Sequence, residues 1–545
     1  MNTAELLVKC LENEGVEYIF GLPGEENMQV LEALQHSSIK FITTRHEQGA
    51  AFMADVYGRL TGKAGVCLST LGPGATNLMT GVADANLDCA PLVAITGQVG
   101  TDRMHIDSHQ YLDLVAMFSP VTKWSTQIVR STNTPEIVRK AFKLAQSEKP
   151  GAVHIDLPEN IAAMVAPAEP LHISDTNEVF ASYNSLNKAA ELISKAKDPL
   201  ILVGNGVLRA KASEAFIEFA TQLNIPVANT FMAKGAIPYT HPLSLWAVGL
   251  QQRDHISCGF DRADLVIAVG YDHIEYSPKK WNPDGKVPII HIGSRAAEVD
   301  SSYIPQAEVV GNIADSLQEI LRRSDRTGKA EPYAVQLRDD IRAEYEQYAN
   351  DDGFPVKPQK IIYDLRQALG PKDILISDVG AHKLWVARHY HCDHPNTCII
   401  SNGFAAMGIA IPGAVAAKLI HPNRKVIAVT GDGGFMMNMQ ELETASRIGT
   451  PFVTLIFNDG GYGLIEWKQK VHFNRSAYVH FTNPNFAKLA ESMGLKGYRV
   501  ESASELMPIL KEALAQDVPA VIDCPVDYQE NFRLTQRVIN FHCAI

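Results

Sequence analysis

Short apolar runs alternate with helical patterns along most of the chain, in three successive segments. Strands that are separated by helices pair in parallel, and a parallel sheet is stable when helices cover both of its faces. The alternation therefore predicts an α/β protein with three parallel sheets covered by helices. We place the three domains at residues 1–165, 183–325 and 355–530, followed by a C-terminal tail at residues 531–545.

The strand predictions rest on apolar runs that are typical of strands buried on both faces. These runs lie at residues 18–20, 39–42, 64–68, 91–95, 152–157, 200–203, 264–269, 287–292, 374–377, 426–430, 452–457 and 520–523. Residues 1–15 predict an amphipathic helix, and the highly charged residues 325–354 predict a solvated helix and connector.

Composition restricts the partners and the compartment of the chain. Its 545 residues carry a formal net charge of −12 and contain no basic block, which argues against nucleic acid or an anionic membrane as a partner. The longest apolar runs are too short to span a bilayer. The eight cysteines form no CxxC motif and are too few for a disulfide framework in so long a chain. We therefore expect reduced thiols and a cytoplasmic protein.

Two glycine-rich turns carry the strongest chemical signal. The run at 426–430 ends in Gly431-Asp432-Gly433-Gly434, and the run at 452–457 ends in a turn that contains Asp459 and Gly461. We expect a helix to begin near Met439 between them. Parallel strands bring both turns to one edge of the sheet, where glycine amides can bind phosphate and carboxylates can bind Mg²⁺. The alternative interpretation is two ordinary Gly/Asp turns after strands.

These two turns resemble the signature of the thiamine-diphosphate-dependent enzymes, and the resemblance covers most of the chain. The stretch around Glu47, the Gly-Pro-Gly loop at 72–74 and the segment 401–408 match further motifs of that family in the expected order. The resemblance implies a pyrimidine-binding domain at 1–165, a central domain at 183–325 and a diphosphate-binding domain at 355–530. It also implies a homodimer or homotetramer with active sites between subunits.

The resemblance assigns roles residue by residue. Glu47 would bind the aminopyrimidine ring of the cofactor and start its activation, whereas the bland alternative is a surface pair with the neighbouring arginine. Asp432, Asp459 and the Gly461 carbonyl would bind Mg²⁺. Further cofactor-binding positions are Gly380, Ala381, His382, Ala405, Met407, Gly431, Gly433, Gly434, Asn458 and Leu464. An anionic cofactor needs a positive local potential, so we expect the acidic residues to lie mainly on the outside of the protein.

Within that family the chain is most similar to the acetolactate synthases, especially the catabolic, flavin-independent type. The similarity rests on His109-Gln110 and on residues 115–123, 270–276 and 525–528. It implies decarboxylation of pyruvate and transfer of a hydroxyethyl carbanion to a second 2-oxo acid, which gives 2-acetolactate and CO₂. His109 and Gln110 would lie near the reacting carbon. Asp272 stands where the flavin-binding synthases carry arginine, which argues against FAD.

Glu25 opens an alternative, a non-oxidative 2-oxo acid decarboxylase that releases an aldehyde. Such enzymes carry an acidic residue at this place that helps to protonate the intermediate. Against this reading, they carry a glutamate where this chain has Ile465, although Glu466 is the next residue. Glu25 and Glu26 are also compatible with a plain helix N-terminus, where acidic residues are favoured by about 0.3–1 kcal/mol. A third hypothesis is an inactive scaffold or regulator that kept the fold.

Overall fold

A computed structural model describes residues 1–174, 179–249, 255–326 and 332–539. It contains three sheets of six strands each, and every pair of neighbouring strands is parallel. Helices follow most of the strands and cover the sheets, so the predicted fold class is confirmed.

The first sheet has the strand order β2-β1-β3-β4-β6-β5. Its strands are β1 (Tyr18–Gly21), β2 (Lys40–Thr43), β3 (Gly65–Ser69), β4 (Leu92–Gln98), β5 (Trp124–Gln127) and β6 (Ala152–Pro158). The accompanying helices are α1 (Thr3–Asn13), α2 (Met28–Leu34), α3 (Glu47–Thr61), α4 (Pro73–Leu87), α5 (Leu114–Phe118), α6 (Thr134–Gln146) and α7 (Glu159–Ala163).

The second sheet has the order β12-β11-β10-β7-β8-β9. Its strands are β7 (Pro199–Val203), β8 (Val227–Asn229), β9 (Ser244–Ala247), β10 (Leu265–Val269), β11 (Ile289–Gly293) and β12 (Pro305–Val310). The helices are α8 (Tyr183–Lys195), α9 (Gly206–Arg209), α10 (Ser213–Leu223), α11 (His255–Arg262), α12 (Ile313–Arg323) and α13 (Pro332–Glu346).

The third sheet has the order β14-β13-β15-β16-β18-β17. Its strands are β13 (Ile374–Ser377), β14 (Cys398–Ile400), β15 (Val426–Gly431), β16 (Val453–Asn458), β17 (Lys496–Arg499) and β18 (Ala520–Pro525). The helices are α14 (Pro358–Ala368), α15 (Ala381–His389), α16 (Ala410–Ile420), α17 (Asp432–Asn438), α18 (Glu441–Arg447), α19 (Gly463–Phe473), α20 (Phe486–Ser492), α21 (Leu506–Ala513) and α22 (Gln529–Ile539).

The first and third domains share one hydrophobic core. Helix α3 of the first domain packs against α16 of the third, and side chains of both helices belong to a single buried cluster. The approach is close at Gly413, where an added Cβ would come within 2.9 Å of a Val56 methyl group. Close packing of this kind holds the two domains of one chain in a fixed relation.

The helix that we expected near Met439 begins earlier. Asp432 is already the first residue of α17, and a second short helix, α18, follows at Glu441. Glycines have low helix propensity, and two of them at the start of α17 hid this helix in the sequence. The early start matters because it places the free amides of a helix N-terminus directly after β15.

In the described part of the chain, no helix has both the length and the apolar character that crossing a bilayer requires. Six cysteines are buried free thiols: Cys10, Cys67, Cys89, Cys392, Cys398 and Cys524. Cys258 takes part in a disulfide, so the expectation of reduced thiols throughout is wrong at that position.

Candidate functional site

A cavity of about 170 Å³ lies beside the carboxyl ends of β13, β15 and β16. Twelve of the predicted positions line it: Gly380, Ala381, His382, Ala405, Met407, Gly431, Asp432, Gly433, Gly434, Asp459, Gly461 and Leu464. Val379, Tyr462, Gly463, Ile465 and Tyr528 complete the lining. The parallel sheet thus gathers residues that are up to about 150 positions apart at its carboxyl edge, as open α/β sheets do.

Asp432 is held in place by several donors. Its Oδ1 accepts a hydrogen bond of 2.8 Å from the Gly433 amide, and its Oδ2 accepts one of 2.8 Å from the Gly460 amide. The side-chain amide of Asn483 donates to Oδ2 at 2.7 Å. Because these bonds orient the carboxylate, Asp432 is preorganised for a ligand.

Asp459 lines the same cavity as Asp432, and the negative charge of its carboxylate is unfavourable there. Burial, the Asp432 carboxylate and the Glu466 carboxylate raise the pKa of Asp459 to about 8. Burial also raises the pKa of Asp432. A buried carboxylate, Asp432, and a half-buried one, Asp459, disfavour each other's charge, and such a pair is suited to a divalent cation that would offset both charges.

A cation at this pair needs further oxygen ligands. Within the described residues, no group of three His, Cys, Asp or Glu side chains is arranged to hold a metal. The Gly461 carbonyl and phosphate oxygens are the donors that remain, and Mg²⁺ commonly binds through one or two carboxylates together with substrate phosphates. The donor set therefore fits a magnesium ion that is shared with a bound phosphate group.

Other residues of the cavity lining fit the phosphate group itself. Burial lowers the pKa of His382 to about 3, and its Nε2 is a buried atom without a hydrogen-bond partner. A Cβ added to Gly434 would lie 2.8 Å from an Asp378 oxygen, and one added to Gly433 would lie 2.9 Å from the Tyr462 ring. A larger residue at Gly434 would therefore displace the buried Asp378 side chain, and one at Gly433 would displace the Tyr462 ring, at the places where the first amides of α17 border the cavity.

Met407 and Ala405 reach the cavity from the loop after β14. Met407 is half-buried and lines the cavity, which is not the placement of an ordinary core residue. Ala405 has φ of +59°, a left-handed conformation that a non-glycine residue adopts only under restraint. The neighbouring Gly408 amide donates to Asp378 Oδ1 at 2.8 Å, which anchors the end of this loop.

Asn458 lies at the end of β16 outside the cavity lining. Its Nδ2 donates to Asp523 at 2.8 Å, and its Oδ1 accepts from Asn483 at 3.0 Å. Asn483 therefore connects Asn458 with Asp432. No signal in the sequence pointed to Asn483, because it lies in an irregular segment 51 residues from Asp432.

Glu47 is the first residue of α3 and is 8% exposed. Its Oε2 accepts a hydrogen bond of 3.0 Å from Asn77, whereas the neighbouring Arg45 pairs with Glu443 at 3.9 Å. The alternative of a surface pair between Glu47 and that arginine is therefore wrong. Glu47 instead faces the start of α4 at Gly74, where an added Cβ would lie 3.4 Å from its Oε1.

The remaining first-domain candidates lie at the same sheet edge. Gln110 has φ of +58° and packs on Gly72, and both Gln110 and His109 are exposed. Glu25 is exposed in a short 3₁₀ helix that leads into α2, as the helix N-terminus interpretation predicts. The residues that line the cavity all belong to the third domain. The structure of one chain thus forms two separate groups of candidate residues.

Glu441 was not recognised from the sequence and connects the two domains next to Glu47. Its carboxylate accepts the backbone amides of Arg45 at 3.1 Å and of His46 at 3.0 Å, and the Thr444 hydroxyl at 2.7 Å. The side chain is fully buried, and burial raises its pKa to about 7. A residue of the third domain therefore fixes the backbone from which α3 and Glu47 start.

The central domain contains a tight turn after β7. An added Cβ at Gly204 would lie 2.5 Å from the Gly270 carbonyl, so the two strand ends are in close contact. Asp272 forms an ion pair with Lys149, which lowers the pKa of Asp272 against the opposing effect of burial. Asp272 is thus engaged with the first domain of its own chain.

Comparisons with known proteins agree with this geometry. Three family models match: the thiamine pyrophosphate enzyme N-terminal TPP binding domain at residues 1–117, the central domain at 186–320 and the C-terminal TPP binding domain at 378–524. A probable acetolactate synthase large subunit of Methanococcus aeolicus is 37% identical over 97% of this chain and 92% of its own length. An acetolactate synthase of Bacillus subtilis is 36% identical over 97% and 94% of the two chains. A catabolic acetolactate synthase of Raoultella terrigena is 35% identical over 97% and 95%.

Proposed function

Because the chain belongs to the acetolactate synthase family of thiamine-diphosphate-dependent enzymes, we propose that it decarboxylates pyruvate and transfers the two-carbon unit to a second 2-oxo acid. With pyruvate as acceptor the products are 2-acetolactate and CO₂. The cofactors are thiamine diphosphate and Mg²⁺, for which the cavity of the third domain has fitting donors.

The observation that carries the proposal is the apolar wall at the start of α19. Leu464 and Ile465 line the cavity, whereas Glu466 forms an ion pair with Lys470 at 2.5 Å. A decarboxylase needs a proton donor near the reacting carbon. An enzyme that joins this carbon to a second substrate needs a surrounding without proton donors. An apolar wall keeps water and acidic groups away from that carbon, which favours attack on a second substrate over protonation.

Each group of residues has a distinct task in this proposal. Bound thiamine diphosphate supplies a nucleophilic carbon and an electron sink for the loss of CO₂. The carboxylates of Asp432 and Asp459 would hold the cation, and His382 with the α17 amides would hold the diphosphate. Met407 would support the rings of the cofactor, and Glu47 would hold or release a proton at the pyrimidine ring.

Glu47 and the cavity belong to different groups within one chain, which supports a homo-oligomer. A complete site then combines the cavity of one subunit with Glu47, Gln110 and Glu25 of its partner. Because such a site needs both subunits, two inactive variants test the arrangement. Mixed dimers of Glu47→Gln and Asp432→Asn chains contain one intact site of two, so a random equal mixture recovers at most about a quarter of wild-type activity. A mixture that stays as inactive as either variant alone contradicts shared sites.

Product identification tests the reaction itself. The purified protein is incubated with thiamine diphosphate, Mg²⁺ and pyruvate, and the products are separated and quantified. Mainly 2-acetolactate supports the proposal, whereas mainly acetaldehyde identifies the decarboxylase alternative. Absence of CO₂ release from a panel of 2-oxo acids contradicts both and leaves the inactive scaffold. Glu25→Gln lowers the aldehyde fraction if Glu25 donates a proton, and Glu32→Gln, on the exposed side of α2, is the matched control.

A further inference from the structure

Arg59 forms the centre of a buried acidic network in the first domain. Its side chain is 8% exposed, and it pairs with Asp55 at 2.6 Å, with Asp84 at 2.8 Å and with Asp88 at 2.8 Å. The three aspartate side chains are fully buried. Burial of three carboxylates around one guanidinium is unfavourable unless each carboxylate gains further donors.

Asp84 finds its further donors in the third domain. Its Oδ1 accepts the Ser401 hydroxyl at 2.7 Å and the Ala406 amide at 3.2 Å. Burial and the neighbouring acids raise the pKa of Asp84 well above its usual value, which reduces the negative charge of the network. The side chain thus holds both ends of a six-residue loop.

Asp88 holds the same loop between those two points. Its Oδ2 accepts the Asn402 amide at 2.9 Å, and its Oδ1 accepts the Gly403 amide. Lys383, which follows His382 in α15, donates to the Ser401 carbonyl and to the Asn402 side chain, each at 3.3 Å. Two first-domain carboxylates and one third-domain lysine therefore fix residues 401–406.

The loop needs this restraint because of its conformation. Ala405 is left-handed at φ of +59°, and Ala405 and Met407 both line the candidate cofactor cavity. A left-handed alanine is disfavoured in a free loop, so the contacts that surround it select this conformation. Asp55 differs from Asp84 and Asp88. Its contacts are with Arg59 and within the acidic network of the first domain.

We propose that Asp84 and Asp88 are positioning residues for the cofactor: they hold residues 401–407 in the conformation that presents Ala405 and Met407 to the cavity. Cofactor affinity of a subunit then depends on the first domain of the same chain, in addition to any contribution of the partner subunit. The inference rests on the proposed function only in taking the cavity as the thiamine-diphosphate site.

The test measures thiamine diphosphate binding to the cofactor-free full-length protein by calorimetry at saturating Mg²⁺. Asp88→Asn and the milder Ser401→Ala remove bonds to the loop, and Asp55→Asn is the matched control that removes a buried carboxylate from the same arginine. Loss of a side chain that orients a ligand-binding residue typically weakens binding about 10–100-fold. We expect that range for Asp88→Asn, about 3–10-fold for Ser401→Ala, and less than about 3-fold for Asp55→Asn.

The outcomes separate positioning from plain stability. Melting temperatures measured in parallel are expected to fall for both aspartate variants, because both disturb the network around Arg59. Equal dissociation constants for Asp88→Asn, Ser401→Ala and Asp55→Asn would falsify the inference while leaving the proposed function intact. A wild-type protein that binds no thiamine diphosphate overturns the proposed function, and the inference with it.

Discussion

Glu441 allows a quantitative prediction, because its buried carboxylate has a pKa of about 7 against an ordinary value of 4.5. The folded state therefore binds this proton more tightly than the unfolded state does. The stability contributed by the protonated carboxyl is fully present below about pH 4.5 and is lost as the pH rises to about 7. Each pH unit in this window costs about 1.4 kcal/mol, so the loss between pH 5 and pH 7 is about 2–3 kcal/mol.

Glu441→Gln keeps the size of the side chain and removes its titration. We expect the free energy of unfolding of Glu441→Gln to rise relative to wild type by about 2–3 kcal/mol between pH 5 and pH 8. For a domain of this size that corresponds to about 5–10 °C in melting temperature. The measurement is the apparent melting temperature of the cofactor-free protein across this pH range. Glu443→Gln, on the more exposed side of the same helix, is the matched control and shows no comparable trend. A difference between Glu441→Gln and wild type that is constant with pH refutes the reasoning.

Three further predictions concern the candidate site. Glu47→Gln reduces turnover by about 100-fold or more while thiamine diphosphate affinity changes little, since the side chain acts on protons and not on the diphosphate; unchanged turnover contradicts the role. Asn483→Ala raises the Mg²⁺ concentration for half-maximal activity about 10-fold because Asp432 loses an orienting donor, and a metal titration measures this. Gly434→Ala places a Cβ 2.8 Å from an Asp378 oxygen, so calorimetry should show weakened cofactor binding. Wild-type affinity would contradict this, because it would mean that the Asp378 side chain can move to accommodate the methyl group.

All but one of the strands that the sequence predicts lie in the middle of the sheets, and the exception is the edge strand β2. All twelve apolar runs overlap an observed strand. Each of these strands is buried, either entirely or on one face. The six missed strands are β5, β8, β9, β12, β14 and β17, and all except β8 lie at a sheet edge. Edge strands such as β5 and β17 are half-buried or partly exposed, so they carry polar residues and lack the continuous apolar pattern.

The site shows a similar division. Residues directly after strands, such as Asp432 and Asp459, are predictable, because the carboxyl edge of a parallel sheet brings them together. Asn483 and Glu441 are not, since each acts through a contact that tertiary packing creates between distant parts of the chain. Asp378 directly follows β13 and could have been found by the same rule that found Asp432. Asp378 accepts hydrogen bonds from the backbone amides of Val379 and Gly408, but it does not belong to a recognised sequence motif.

The acidic composition gains a structural meaning from these contacts. We expected the acidic residues to lie mainly on the outside, yet at least twelve of the 61 Asp and Glu side chains are buried. Several of them accept backbone amides of irregular segments in another domain, as Asp88 and Glu441 do. Amides outside regular structure need acceptors when they are buried, and one carboxylate offers two oxygens to neighbouring amides. Some of the buried carboxylates therefore connect the domains and hold the segments next to the site. Replacing these carboxylates should affect cofactor binding before it affects solubility.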